Sequence, residues 1–352
     1  LTASKYLRLF KLFVKMVLMP RESGKLISKL AKNVFIEEEG VKSLACEVLE
    51  GLKDRTISIE NFSQSELHPN SGHFKAIDWI CVLDTLNFSF WSPSSDNKWK
   101  VNGHTGYFAL CSAVKRAIDE GIPIIDPNYY ATITKEVLAR VLRADSGAET
   151  IPLLDKRVQN LQQVGKVLVD KYNGTFVECV KASQYSAEKL LKLIVNEFEC
   201  FRDEADFYGH RVSFYKRAQI LVGDIWACYK GKDLGEFNDI DIITMFADYR
   251  IPQVLLHFGA MRYSNPLLST LQTGTELTPG CIEEIEIRGC SIEVIERVVD
   301  RVRNLIKQYP NLNINPFSCN SIVVDHFLWD YRRKNAEKLE SIPFHRTRSI
   351  YY

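Results

Sequence analysis

Residues 211–253, RVSFYKRAQILVGDIWACYKGKDLGEFNDIDIITMFADYRIPQ, decide how this chain is read. They open with two adjacent bases, Lys216 and Arg217, on an apolar pattern of helical spacing. They close on FADYRIPQ, where one carboxylate, Asp248, stands between Phe246 and Tyr249 and just ahead of Arg250-Ile251-Pro252. A proline disfavours helix in the residue before it, so the pattern predicts helices over 213–230 and 239–249 with an end or kink at the proline. An acid, two ring faces and a cation then fall within one turn. The plain alternative is a helix C-terminus with a solvated acid and a stacked tyrosine.

Outward from this stretch, apolar residues recur at i, i+3, i+4 and i+7 over 107–120, 134–143, 151–172 and 186–198, the last with Ser186 as N-cap. On the C-terminal side the same spacing predicts helices near 252–260, 282–287, 291–309 and 320–339, and on the N-terminal side from Pro20 to about Leu52. Residues 76–91, AIDWICVLDTLNFSFW, lack a clean helical period and read as a buried segment running into a strand. Asn102-Gly103 between short alternating runs predicts a hairpin. The expected fold class is mainly α, a single helical domain over 20–352 with a small β-hairpin element in its N-terminal part.

Composition narrows the chemistry. Among 352 residues, 45 basic and 44 acidic side chains leave a net charge of +1, which gives no global field for holding long nucleic acid and points to a small, locally recognised substrate. Nine cysteines without a CxxC pair imply free, mostly buried thiols in a reducing compartment. Seven histidines without HExxH or HxH spacing, and the lack of GxGxxG or GxxxxGK[ST], remove the usual signatures of metal hydrolysis and nucleoside-triphosphate chemistry. The first 21 residues carry five bases and no acids on an amphipathic pattern. They read as a leader, residues 1–19, for which a mitochondrial transit peptide is the competing interpretation.

Three further constellations stand out. In 323–333, VVDHFLWDYRR, Asp325, Trp329 and Arg332 share a helical face with Asp330 a little beyond, a carboxylate surface for a cationic ligand or else an amphipathic surface helix. Asn87-Phe88-Ser89-Phe90-Trp91 puts three aromatics in five residues, enough to floor a pocket for a planar base or to form a buried strand. The tail 343–352, PFHRTRSIYY, keeps aromatics and bases to its last residue, so it is expected to dock.

Taken in order, TLNFSFW (85–91), DEGIPI (119–124), YYAT (129–132), RVSFYKRAQIL (211–221), ITMFADYRIPQVL (243–255), EIRGCS (286–291), LWDY (328–331) and PFHR…IYY (343–352) closely resemble the queuosine salvage protein family. The resemblance runs from about Pro20 to Tyr352. It implies a mostly helical fold related to DNA glycosylases and hydrolysis of queuosine 5′-phosphate to release queuine. It also implies no metal and no organic cofactor. The near-zero net charge argues against a stable nucleic-acid complex and the lack of about 18 uninterrupted apolar residues against a membrane partner, so a cytoplasmic protein is expected. One departure lies at 65–69, SELHP, where the family's pattern begins with a histidine; here His68 follows Ser65 by three residues and is taken in its place.

Cleavage of an N-riboside builds positive charge on the sugar and negative charge on the base, so a fixed anion beside the ribose lowers the barrier. The resemblance assigns that anion to Asp248, as nucleophile or electrostatic stabiliser. Queuine's side-arm amine, cationic at neutral pH, would pair with Asp325 or Asp330. Lys216, Arg250 and Tyr249 are the candidates for the 5′-phosphate, and Phe246, Phe90, Trp329 and His68 for the base. The rival readings are a glycosylase acting on tRNA or damaged DNA, and a non-catalytic base-binding protein.

Overall fold

Two apolar cores meet along a seam, and the segment carrying Asp248 runs in that seam. The computed structural model describes residues 16–60, 65–93 and 98–352. The described part begins with α1 (Pro20–Leu30), β1 (Val34–Ile36) and α2 (Glu38–Lys53). Next come α3 (Ala76–Leu86), β2 (Lys100–Val101), β3 (His104–Thr105), α4 (Gly106–Asp119), α5 (Pro127–Tyr130) and α6 (Lys135–Val141). Helices α7 (Leu154–Lys171), α8 (Phe176–Ala182) and α9 (Ala187–Glu197) lead into the hairpin β4 (Glu204–Phe207) and β5 (His210–Ser213). The chain ends with α10 (Lys216–Cys228), α11 (Ile251–His257), β6 (Met261–Tyr263), α12 (Asn265–Gln272), α13 (Ile282–Gln308), α14 (Ser321–Lys334) and α15 (Ala336–Leu339). The mainly helical class is as expected. Among the described residues the strands form three two-stranded antiparallel ladders, β1 with β6, β2 with β3 and β4 with β5.

Asn102 and Gly103 turn the predicted hairpin with positive φ at both positions, and Tyr208-Gly209 turn β4 into β5 in the same way, a hairpin the sequence reading did not find. The buried segment expected from residue 76 is α3, all eleven of whose residues are buried, and the strand expected at its end is irregular backbone over 87–91. A helix covered on every side has no polar stripe, so its period is invisible. Helices 282–287 and 291–309 are one 27-residue helix, α13. Gly289 does not break it: a Cβ there would meet Ile27 at 2.5 Å, and the missing side chain lets α1 press against α13. The N-terminal helical run is divided by β1, and Gly40 at the start of α2 lies against the backbone of Gly259.

The helix predicted over 239–249 is absent. A single 3-10 turn, Ile240–Ile242, gives way to an irregular stretch to Asp248. Its backbone is held by side chains from three helices. Gln219 of α10 accepts from Thr244 N (2.8 Å), Asp325 of α14 accepts from Phe246 N (3.1 Å), and Arg288 of α13 donates to the Ala247 carbonyl (3.0 Å). With these partners the segment forgoes the local bonds of a helix without leaving buried polar groups unsatisfied. Met245 and Ala247 enter the core built on α1, α2 and α13, while Phe246 enters the core built on α3, α4, α7 and α9.

Residues 1–15 of the expected leader lie outside the described residues. Leu18 pairs with Val212 in a parallel bridge, and its carbonyl accepts from Ser213 Oγ (2.6 Å), which ties residues just before α1 to β5. Eight of the nine thiols are buried or half-buried and all are free. None of the described helices is long and apolar enough to cross a membrane.

Candidate active site

α10 begins abruptly. Tyr215, φ +47°, takes the left-handed region that non-glycine residues rarely occupy, its hydroxyl held by Glu204 at 2.8 Å, and the next residue, Lys216, starts the helix. Along α10, Lys216, Ile220 and Asp224 stand at i, i+4 and i+8 and so share one face. That face, the end of α3 with its 87–93 extension, the start of α4, the 246–250 segment, α14 and the tail enclose a cavity of about 670 Å³. This is the size of a small-molecule site.

All ten residues singled out from the sequence line it: Asp248, Phe246, Tyr249, Arg250, Lys216, Asp325, Asp330, Trp329, Phe90 and His68. Ser65 lines it too, and His68 N donates to the Ser65 carbonyl (3.1 Å), so a single turn carries both.

Asp248 caps α11. Its Oδ1 accepts from the backbone N–H of Arg250 (2.7 Å) and Ile251 (2.8 Å), while no hydrogen bond reaches Oδ2 among the described residues. Fixing one oxygen orients the other. Around it lie buried charges of both signs. Burial lowers the Lys216 pKa, opposed by the charges of Asp248, Asp84 and, beyond the repelling Arg217, Asp325. Asp325 is pushed well above the carboxylate range by burial and then by Asp248. Asp224 is likewise raised, by burial and then by Asp84. Asp84, behind the cavity wall, is raised to about 7 by burial.

Aromatic faces form the walls. Trp329 lies 5.3 Å from Phe108 and edge-on to Tyr107 at 6.1 Å, and His68 stacks on Phe108 at 5.7 Å. Phe246 is seated on Gly223 of α10 and lies 6.1 Å from His326, whose pKa burial depresses to about 4. Guanidinium groups line the cavity too: Arg250 over Phe344 at 4.1 Å, Arg332 paired with Glu340 at 2.8 Å, and Arg333 over Phe108 at 4.2 Å. The tail docks as expected. Ser89 N donates to the Tyr352 carbonyl (2.9 Å), Trp91 Nε1 to that of Thr347 (3.2 Å), and Arg348 covers the Trp91 ring.

Several lining residues escaped the sequence reading. Asp224 was signalled by its i+8 spacing from Lys216, but a carboxylate in an apolar helix gave no reason to choose it over Asp84 or Asp78. Tyr107, 3.5 Å from Asp224, and His326, 4.0 Å from it, come from elements whose relative placement no local pattern records. No group of three or more His, Cys, Asp or Glu side chains suited to a metal ion occurs among the described residues.

Fold and site together define a helical protein with a small-molecule cavity lined by carboxylates, ring faces and cations. The chain belongs to the queuosine salvage protein family, whose model matches residues 67–352. It is 44% identical to the mouse (Mus musculus) queuosine 5′-phosphate N-glycosylase/hydrolase, over 95% of this chain and 99% of that protein. It is 45% identical to the protein of that name from Bos taurus, over 96% and 99%. A bacterial relative of that name, from Sphaerobacter thermophilus, is 34% identical over 92% of this chain and 94% of its own.

Proposed function

We propose that this chain hydrolyses the N-glycosidic bond of queuosine 5′-phosphate, releasing queuine and ribose 5-phosphate. The relatives' shared name supports the substrate, and one observation carries the chemistry: a carboxylate on the cavity wall with Oδ1 anchored by two backbone N–H groups and Oδ2 unengaged among the described residues. As the bond between C1′ and the base nitrogen lengthens, Asp248 opposes the positive charge growing on C1′ and O4′. Water supplies the new bond at C1′, and the departing base takes up a proton. Queuine is a 7-deazapurine and cannot be protonated at position 7, so the proton must reach it elsewhere. Asp325, whose pKa is raised by burial and then by the neighbouring Asp248 charge, is the donor in this reading.

The base lies between the ring faces of Phe246, Trp329 and Phe90, with His68 at its edge and its ammonium arm toward Asp330. Lys216, Arg250 and the Tyr249 hydroxyl receive the 5′-phosphate. The test is incubation with queuosine 5′-phosphate and chromatography of the products. Equal amounts of free queuine and ribose 5-phosphate are expected. Retention of one intact nucleotide per chain would instead mark a binding protein, and release from tRNA but not from the free nucleotide would mark a nucleic-acid glycosylase.

A further inference from the structure

Behind the wall that carries Asp248 lies a charge cluster that the reaction, as derived above, does not use. Arg288, in the second turn of α13, is 2% exposed. Its guanidinium plane is clamped between Phe214 (4.1 Å) and Tyr352 (4.2 Å). All three nitrogens are engaged: Nε donates to the Ala247 carbonyl (3.0 Å), Nη1 to Asp203 Oδ1 (2.9 Å) and Glu284 (3.3 Å), and Nη2 to Asp203 Oδ2 (2.5 Å).

Each partner leads to the cavity. Ala247 immediately precedes Asp248. Asp203 Oδ2 also accepts from the backbone N–H of Lys216 (3.1 Å), and the Asp203 carbonyl accepts from Phe214 N (2.9 Å). Glu284 Oε1 accepts from the Tyr352 hydroxyl (2.8 Å). Three lining residues from three separate stretches of chain are thus held in relation to one planar cation.

A buried ion cluster of this kind is poor at adding stability, because desolvation of the charges offsets much of their attraction, but its directional bonds hold geometry that apolar packing would leave loose. The reaction needs such geometry: Asp248 must face C1′ while Lys216, whose charge couples to that of Asp248, holds its place.

We propose that Arg288 is a positioning residue for glycosidic hydrolysis, setting the Asp248 segment and the start of α10 in fixed relation by bridging the Ala247 carbonyl and Asp203. This rests on the hydrolytic reading above. Arg288 touches no substrate. Its influence passes through the backbone at 247 and through Asp203, so it acts on the rate at saturation more than on binding.

The test compares Arg288→Lys with wild type and with Glu286→Gln. Lysine keeps the charge but lacks the planar fork that reaches both partners. Glu286, two residues away on α13, accepts from the backbone N–H groups of Lys32 (3.0 Å) and Asn33 (2.6 Å) and has no bond to the cluster. It reports what loosening α13 does by itself. For Arg288→Lys, kcat on queuosine 5′-phosphate should fall by about 10²-fold, the scale of a misplaced reacting group, with KM changed by less than about 3-fold. Glu286→Gln should lower the melting temperature with kcat unchanged.

If Arg288→Lys does not fold, Asp203→Asn carries the same comparison and should show the same split. The assignment is overturned if kcat of the folded variant stays within twofold of wild type, if KM rises while kcat holds, or if Glu286→Gln loses kcat to the same degree. Absence of base release by the wild type itself overturns the reaction and this assignment with it, whereas release by wild type with an indifferent Arg288→Lys overturns only the role of Arg288.

Discussion

Asp325 accepts the backbone N–H of Phe246 at 3.1 Å, which locks α14 to the segment that ends in Asp248. Through this bond Asp248 and Asp325, two of the cavity's carboxylates, belong to one wall. Asp325 is buried while Asp248 is half-exposed, so burial favours the neutral form of the first and leaves the second beside the space a sugar would occupy.

Replacement of Asp248 by asparagine keeps an oxygen for the Arg250 and Ile251 N–H groups and removes only the charge. Base release should fall by at least ~10²-fold, the scale of losing one main electrostatic group, with melting temperature nearly unchanged. Asp248→Ala should lose activity and also about 1 kcal/mol of stability, since the Arg250 and Ile251 N–H groups lose their acceptor. Steady-state kinetics and thermal melting separate the two, and near-normal turnover by the asparagine variant would remove Asp248 from the chemistry.

Lys216→Ala should weaken queuosine 5′-phosphate more than the unphosphorylated nucleoside, measured as the ratio of kcat/KM for the two. Equal losses would take Lys216 out of the phosphate site and leave it as counter-charge to the surrounding acids. Arg250→Met provides the comparison, because its guanidinium, over Phe344 and bonded to Gln253 (3.0 Å), stands apart from the carboxylates in the pairings it makes.

His345 is fully buried with both ring nitrogens lacking a hydrogen-bond partner among the described residues, and burial followed by the charge of Arg288 depresses its pKa to about 3. The unfolded chain binds a proton there below about pH 6.5 and the folded chain does not, so stability from this group is whole above pH 6.5 and declines as pH falls toward 3. His345→Phe should abolish that part of the decline. Denaturant titration at pH 7.5 and pH 4.5 should show the variant gaining about 2–3 kcal/mol on wild type between the two, from roughly two pH units at 1.36 kcal/mol each. A constant difference across this range would contradict a neutral buried imidazole.

A methyl at Gly223 would meet Phe246 Cζ at 2.9 Å. Gly223→Ala should displace the ring, cost about 1–3 kcal/mol by overpacking and raise KM for the nucleotide severalfold. Melting and KM must move together. A stability loss with unchanged KM would show that the Phe246 ring has no part in holding the base.

Local signals carried much of this protein. Ser186 caps its helix as its position indicated, with Oγ accepting from Lys189 N at 3.1 Å, and Asn102-Gly103 turns its hairpin. The mainly helical class was legible because helical spacing is a property of neighbouring residues, whereas Asp248 and the other candidate lining residues were chosen through the family resemblance, the local pattern alone fitting a solvated helix end as well. What misled was burial on all sides, which hid the period of α3, and Gly289, which has the look of a terminator and serves as the floor of a helix crossing.

Amino-acid order alone determined that Asp248 would sit between two rings ahead of a proline, that Asp325 and Trp329 would share a helix, and that the tail would be sticky enough to dock. Only the tertiary structure decided that residues 243–248 would not be helical, because Gln219, Asp325 and Arg288 reach their backbone from three different helices and satisfy it better than a local turn would. Long-range packing likewise brings Tyr107 and His326 to Asp224 on the cavity lining. Backbone groups bond with whatever the folded chain brings within reach, and side chains distant in sequence announce that reach nowhere in their own neighbourhoods.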